Sequence, residues 1–411
     1  MTQPEATSTG SRAWRRHLLL AAWCAVLGVV VHVTEALLPV QVAVIGLGVG
    51  VVGAAFMLAW AADAGEAVFS GGVVLAVIAV LAVLPEFVIE IRFAYIQEAD
   101  LVTANLTGAT RLLLTGAAAL PLLLLLVASR RGEEAGESVQ LSPHRRLELA
   151  VLLVTSIYAV QVVGRGSLTV VDGVLLIALY VLYARRVQGS PEEQPGVVGV
   201  PAGILSLPPP LHRPAIVALV VTAGAVILLI ANPFADALLA TGTALGFDPY
   251  LLIQSVVPAA TESPEFVIVA VLVLNHRPAQ GMALLLASSV SQWTLGMGLL
   301  PIAYAAGGGG FALPMGGREQ LEVGFTIAVT LFVVAALATL RPVRVDALII
   351  LWVFVIQLVS PTAFVRVAAT FVLLVFAIDL LVTRRRSLGA LLRAGYGRRS
   401  STPARPEGSS G

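Results

Sequence analysis

The sequence predicts an all-α polytopic membrane protein: two inverted five-helix repeats plus one peripheral helix at each end, about 12 transmembrane helices in all. Three observations predict it. Of 411 residues, 58% are hydrophobic and only 12% charged, about half the charge of a typical soluble protein. Apolar runs of about 20 residues, the length that crosses a bilayer, recur along most of the chain. A short motif also appears twice inside such runs, as Leu84-Pro85-Glu86-Phe87-Val88-Ile89 and as Ser263-Pro264-Glu265-Phe266-Val267-Ile268. This composition excludes a soluble enzyme, a secreted disulfide domain and a nucleic-acid-binding protein. The formal charge of +1 singles out no partner beyond the bilayer. Cys24 is the single cysteine, so neither an internal disulfide nor a thiolate metal site is available.

Twelve spans are expected, at 17–38, 43–67, 71–95, 102–128, 147–164, 168–184, 214–244, 249–274, 280–305, 321–340, 345–359 and 362–383. The first follows Arg12, Arg15 and Arg16, as a signal peptide would. Its apolar stretch is long and lacks a clear small-x-small cleavage site, so it is read as a retained helix. Arginine placement sets the orientation. The segment before span one, those between spans four and five, six and seven, eight and nine, ten and eleven, and the segment after twelve carry most of the arginines. The opposite side holds Arg165, Arg318 and Arg366. The positive-inside rule then puts both termini in the cytoplasm, and the expected location is a bacterial plasma membrane. Residues 1–16 and 384–411 are cytoplasmic tails, with disorder expected at 1–10 and 400–411. The proline-rich stretch within 185–213 is expected to be a structureless cytoplasmic linker. Ser387–Tyr396 has two readings, a helix on the membrane surface or a floppy tail.

The repeated motif divides the chain. Spans two to six (43–184) form one unit and spans seven to eleven (214–359) the other. Val171-Asp172 in the first echoes Val345-Asp346 in the second, and Ala62-Asp63-Ala64 weakly echoes Ala235-Asp236-Ala237. Five is an odd number of crossings, so the second unit enters the membrane inverted. That architecture belongs to secondary transporters with a central site. Spans one and twelve (362–383) fall outside the repeat and are expected at the periphery.

Ionisable groups at mid-bilayer are costly and are kept for ion or substrate paths. Glu86 and Glu265 each follow a proline, which removes a backbone donor and frees carbonyl oxygens nearby. Carboxylates beside free carbonyls make an all-oxygen environment for a hard cation such as Ca²⁺ or Na⁺. The bland alternative is a protonated glutamate bonded to a neighbouring helix. Glu90 lies one turn after Glu86, where the second half has Val269; Glu262 lies three before Glu265, where the first half has Val83. Thr261, Ser288, Ser289, Ser291, Asn105, Thr110 and Gln292 add hydroxyl and amide oxygens, although isolated Ser and Thr in membrane helices often bond their own backbone. Arg111 lies inside span four and must pair; Glu90 is the favoured partner, with Glu86 second.

At these residues the chain resembles the membrane region of the sodium/calcium exchangers, in the cation/calcium antiporter superfamily. That family carries a motif close to Gly-Thr-Ser-Leu-Pro-Glu on the second helix of each unit, and one close to Gly-Asn-x-x-Gly-Ser-Asn on the third. Here the former reads Leu81-Ala82-Val83-Leu84-Pro85-Glu86 and Ala260-Thr261-Glu262-Ser263-Pro264-Glu265. The latter reads Ala104-Asn105-Leu106-Thr107-Gly108-Ala109-Thr110 and, in decayed form, Leu285 to Gln292. The resemblance implies that Glu86 and Glu265 are the central metal ligands, that Thr261 survives from a Na⁺-binding pair, and that Asn105 survives without its mate.

The expected function is secondary antiport of Ca²⁺ or a similar cation against Na⁺ or H⁺, with no cofactor and with the cations bound transiently as cargo. The alternative is a non-transporting or regulatory membrane protein that keeps the exchanger fold, with Arg111 as an internal counter-cation that locks the site.

Overall fold

The computed structural model describes residues 10–69, 83–116, 140–187, 197–275, 277–341, 345, 348–352, 355 and 362–396. In chain order these form α1 (Gly10–Thr34), α2 (Val40–Val68), α3 (Leu84–Tyr95) and α4 (Ala99–Arg111), which continues into a π-helical turn at Leu112–Gly116. Then come α5 (Arg145–Arg165), strand β1 (Ser167–Thr169), α6 (Val170–Val187), the short α7 (Val200–Leu205) and the long α8 (Pro209–Ala244). The second half continues with α9 (Pro249–Thr261), α10 (Ser263–Leu274) and α11 (Pro278–Ser291), a π-helical turn at Gln292–Gly296, then α12 (Met297–Ala306). Strand β2 (Ala312–Pro314), α13 (Gly317–Leu337), α14 (Ala363–Thr383) and α15 (Arg385–Tyr396) complete it.

Among the described residues, seven helices are long and apolar enough to cross a membrane, and α9 and α10, which meet at a 50° bend, are long and apolar enough only as a pair. The expected spans at 71–95, 102–128 and 345–359, and the terminal tails, lie partly or wholly outside the described residues. Local chemistry sets the ends. Pro249 starts α9, and the Asp248 side chain caps it by accepting the Tyr250 N–H at 2.9 Å. α5 stops at Gly166, whose φ of +70° closes the helix with N–H bonds back to Val162 and Val163.

α1 and α2 meet along a seam of small residues. A Cβ on Gly28 would lie 2.6 Å from the Gly50 Cα, so only glycine allows this approach. α2 in turn packs on α8, where Phe234 lies against Gly48. α13 is the most enclosed of the described membrane-length helices, with nearly every residue from Val323 to Leu337 buried between α4, α5 and α14. The outward faces of α1 and α14 present Trp23, Phe364 and Phe371, as lipid contact requires.

Connections meet at two ends of the bundle. At one end β1 pairs antiparallel with β2, Gln97 donates to the Gly307 carbonyl at 2.8 Å, and Arg318 binds Asp248 at 2.6 Å. At the other, the Leu141 N–H donates to the Leu340 carbonyl at 2.8 Å, and Arg384 donates to the Ala335 and Ala336 carbonyls. Each of these contacts joins segments that the arginine distribution assigns to a common side.

Three expectations change. The stretch at 185–213 is not wholly structureless: Val200–Leu205 is helical, with Val200, Pro201, Gly203 and Ile204 buried. Pro201 suits a first helical turn, and the apolar side chains pack with Ala61, Ala64 and Ile216. Of the two readings of Ser387–Tyr396 the floppy tail falls, because the segment is helical in α15, which docks on α5 with Leu391 fully buried. Finally, α14 is exposed along one face but drives Arg366 into the interior, where it is 1% exposed.

The two ends, oriented by the positive-inside rule, give a direct expectation. In a Cys24→Ser background, Phe311→Cys should react with an impermeant maleimide on intact cells, whereas Arg341→Cys should react only after permeabilisation. Equal reactivity at both positions would contradict the arrangement.

Candidate cation-binding site

The two Pro-Glu motifs start helices. Pro85 and Pro264 sit in the first turns of α3 and α10, where a missing N–H removes no intrahelical bond. The prolines expected to break a span are therefore helix starts, and in the second half the break is the bend between α9 and α10, with Glu262 at the joint. Glu86 and Glu265 occupy first turns, where the positive end of the helix dipole favours a carboxylate. Both copies share the same loose first bond, Phe87 N–H to the Val83 carbonyl at 3.4 Å and Phe266 N–H to the Glu262 carbonyl at 3.3 Å.

Glu86, Glu90, Glu262 and Glu265 are all buried. Thr261 lies close to the Glu86 carboxylate. Glu262 lies within electrostatic range of Glu86, Glu265 and Glu90, and Glu265 within range of Glu86 and of Asp63 on α2. Glu90 is held by amides: its Oε1 accepts from Asn105 Nδ2 at 3.2 Å and from Gln292 Nε2 at 2.6 Å. One oxygen of each of the four carboxylates receives no hydrogen bond among the described residues. Neither does Asn105 Oδ1 or Gln292 Oε1. Six bare buried oxygens in one bundle are anomalous for structural polar groups and suit a cation or proton. No three acidic, histidine or cysteine side chains among the described residues converge closely enough to hold a metal ion by themselves.

The hydroxyls serve their own helices first. Thr110, Thr261, Ser289 and Ser291 each donate to a carbonyl one turn back, at 2.7, 3.0, 2.7 and 3.2 Å, which leaves their oxygen lone pairs available. Ser288 is half-buried on α11. The two π-helical turns follow directly on Arg111 and Ser291, at the end of the third-helix motif in each half. Such turns widen a helix locally and concentrate at functional sites.

Arg111 does not pair with Glu90 or Glu86. Its guanidinium binds Glu322 on α13 at 2.7 Å, and it also donates to Thr326 Oγ1 at 3.2 Å. Arg366 of α14 binds the other oxygen of Glu322 at 3.2 Å, and Gln254 of α9 donates to Glu322 at 3.0 Å. Both guanidinium carbons lie 5.1 Å from the Phe325 ring centroid. The sequence reading missed Glu322, Arg366 and Gln254. A signal for Glu322 was present: it follows Glu148 by 174 positions, the same spacing that separates Asp172 from Asp346. Glu148 is likewise buried near the start of α5, bound to Arg145 and accepting from the Tyr183 hydroxyl.

Comparison with known proteins agrees with the motifs. Residues 38–187 match the family model described as sodium/calcium exchanger protein. The crystal structure of the H⁺/Ca²⁺ exchanger CAX matches at 28% identity and a TM-score of 0.83, over 93% of this chain and 99% of that one. Native YfkE matches at 14% identity and 0.60, over 86% and 99%. The sodium-calcium exchanger NCX_Mj matches at 16% and 0.51, over 84% and 100%. The last two show a likeness of fold alone. No curated protein is a significant sequence match. The family match covers residues 38–187 and the CAX match most of the chain, so the chain is similar to the sodium/calcium exchanger family over that stretch and to an H⁺/Ca²⁺ exchanger over nearly its whole length.

The Glu322 cluster makes its own prediction. Removing one partner of a buried charge pair leaves the rest uncompensated, typically at ~3–5 kcal/mol. Glu322→Leu should destabilise the protein by about that much in thermal unfolding. The double variant Glu322→Leu/Arg111→Leu should recover part of the loss. No recovery would mean that Arg111 draws little from Glu322.

Proposed function

We propose that the chain is a secondary antiporter that exchanges Ca²⁺, or a similar hard cation, for protons at a central site formed by Glu86, Glu265, Glu262 and Glu90. The observation that carries this reading is the set of bare buried carboxylate oxygens on α3, α10 and the α9–α10 joint. Glu86 and Glu265, on inverted helix starts, supply charge to the divalent ion. The oxygens of Thr261, Asn105, Thr110, Ser288, Ser289, Ser291 and Gln292, with backbone carbonyls at the breaks, complete the six to eight oxygens that Ca²⁺ takes. Glu262 stands where the resembled motif has a hydroxyl, and Glu90 has no mate. The first replaces a neutral oxygen by a titratable one, and the second adds a titratable oxygen where the other half has none. Together with the likeness to CAX, they favour H⁺ over Na⁺ as the exchanged ion.

Protons and cations compete for the same oxygens, so each ion leaves as the other arrives, and binding of both at once is disfavoured. That is the requirement for antiport. The reading in which Arg111 locks the site loses its motivation, because Glu322 engages that guanidinium. Two five-helix units of opposite orientation, 43–184 and 214–359, would rock against each other to expose the site to alternate sides.

Proteoliposomes with one gradient imposed at a time test this reading. A pH gradient, acidic inside, should drive Ca²⁺ uptake, while a Na⁺ gradient should not. Glu86→Gln and Glu265→Gln should each reduce flux to background. In the wild type, apparent cation affinity should fall as pH falls, because protonated carboxylates no longer ligate. Uptake driven by Na⁺ alone would assign the other counter-ion, and full flux in both variants would remove the carboxylates from the site.

A further inference from the structure

α15 is a helix that the transport reading does not use. It begins directly after α14, whose 21 residues, mostly apolar, span about 31 Å at 1.5 Å per residue, enough to reach the headgroup layer. Arg384, at the junction, donates to the Ala335 and Ala336 carbonyls at 3.1 and 2.6 Å, which pins the start of α15 to the end of α13. Leu391 is fully buried and Leu388 partly so, both within the core that includes α5. At 100° per residue, Arg385, Arg386 and Arg393 fall within one sector of about 100°, beside the leucine sector. All three are exposed, and among the described residues none meets a carboxylate.

We infer that α15 is a binding surface for anionic phospholipid headgroups. Three arginines on one helix face, held at headgroup depth by a docked leucine face and by Arg384, match a layer of phosphates in charge and in height. Guanidinium groups bind phosphate oxygens bidentately, and basic residues this close to an anionic leaflet are attracted to it. The helix touches α5 along its length and α13 through Arg384, so a lipid bound here tightens the cytoplasmic ends of both helices. The surface acts on stability and on the ease of helix movement, and not on ion choice.

The test compares the full chain in phosphatidylcholine nanodiscs with the same chain in phosphatidylcholine–phosphatidylglycerol nanodiscs, read as Tm. The wild type should melt a few degrees higher with the anionic lipid, and added salt should shrink the shift. Arg385→Gln/Arg386→Gln/Arg393→Gln should melt like the wild type in phosphatidylcholine and lose the shift. The corresponding triple Lys variant should retain part of it. sn-Glycerol 3-phosphate, the soluble headgroup, should produce no comparable shift. An equal shift in wild type and triple Gln variant places the lipid elsewhere and overturns the inference, as does a wild type indifferent to lipid charge. A full shift with the soluble headgroup overturns it in favour of a small anion. The readout is independent of transport, so its failure is distinct from failure of the antiporter reading.

Discussion

A charge enclosed by apolar helices has to be paired, neutralised or presented to a ligand, and the architecture of this protein follows from how each enclosed charge meets that demand. Arg111 and Arg366 share Glu322 around the Phe325 ring. Glu148 has Arg145 and Tyr183, and Asp172 is surrounded by Arg165, Tyr158 and Thr169. Glu86, Glu262 and Glu265 have no cation among these partners, and Glu90 has only two amides. The paired groups hold helices together, whereas the four glutamates with no arginine beside them carry the proposed ion site.

The same backbone device appears in both halves. A proline opens a helix, a glutamate follows in its first turn, and the next helix carries a π-helical turn just past a polar motif. Glu148 and Glu322, at matching positions of the repeat, both became anchors for arginine, yet with unlike partners. The symmetry is thus kept in the backbone and loosened in the side chains. Glu90 and Glu262, each present in one half only, extend that asymmetry into the site itself.

Hydropathy and the repeated Pro-Glu motif were enough to read the helical membrane fold and its likeness to the exchangers, because lipid demands long apolar helices and chance does not duplicate Pro-Glu-Phe-Val-Ile. The burial of Glu86, Glu90, Glu262, Glu265, Asn105 and Gln292 followed from the same logic. Pairings across the bundle did not. Arg111 finds a partner 211 residues away on α13, and sequence proximity pointed instead to Glu90. Arg366 was counted among the arginines of the far membrane side, and only the packing of α14 on α13 shows it entering the core. The helix at Val200–Leu205 was hidden by Pro201, which suits a helix start as well as a linker.

The central claim is that Ca²⁺ and protons occupy the same glutamate oxygens. Calorimetric titration of Ca²⁺ into the purified protein, repeated in buffers of different ionisation enthalpy at one pH, counts the protons that binding displaces. The account predicts an apparent binding heat that varies with the buffer in the sense of proton release, and a smaller release when Glu265 is replaced by Gln. Binding with a heat independent of the buffer would contradict it, because the ion would then be entering oxygens that hold no proton.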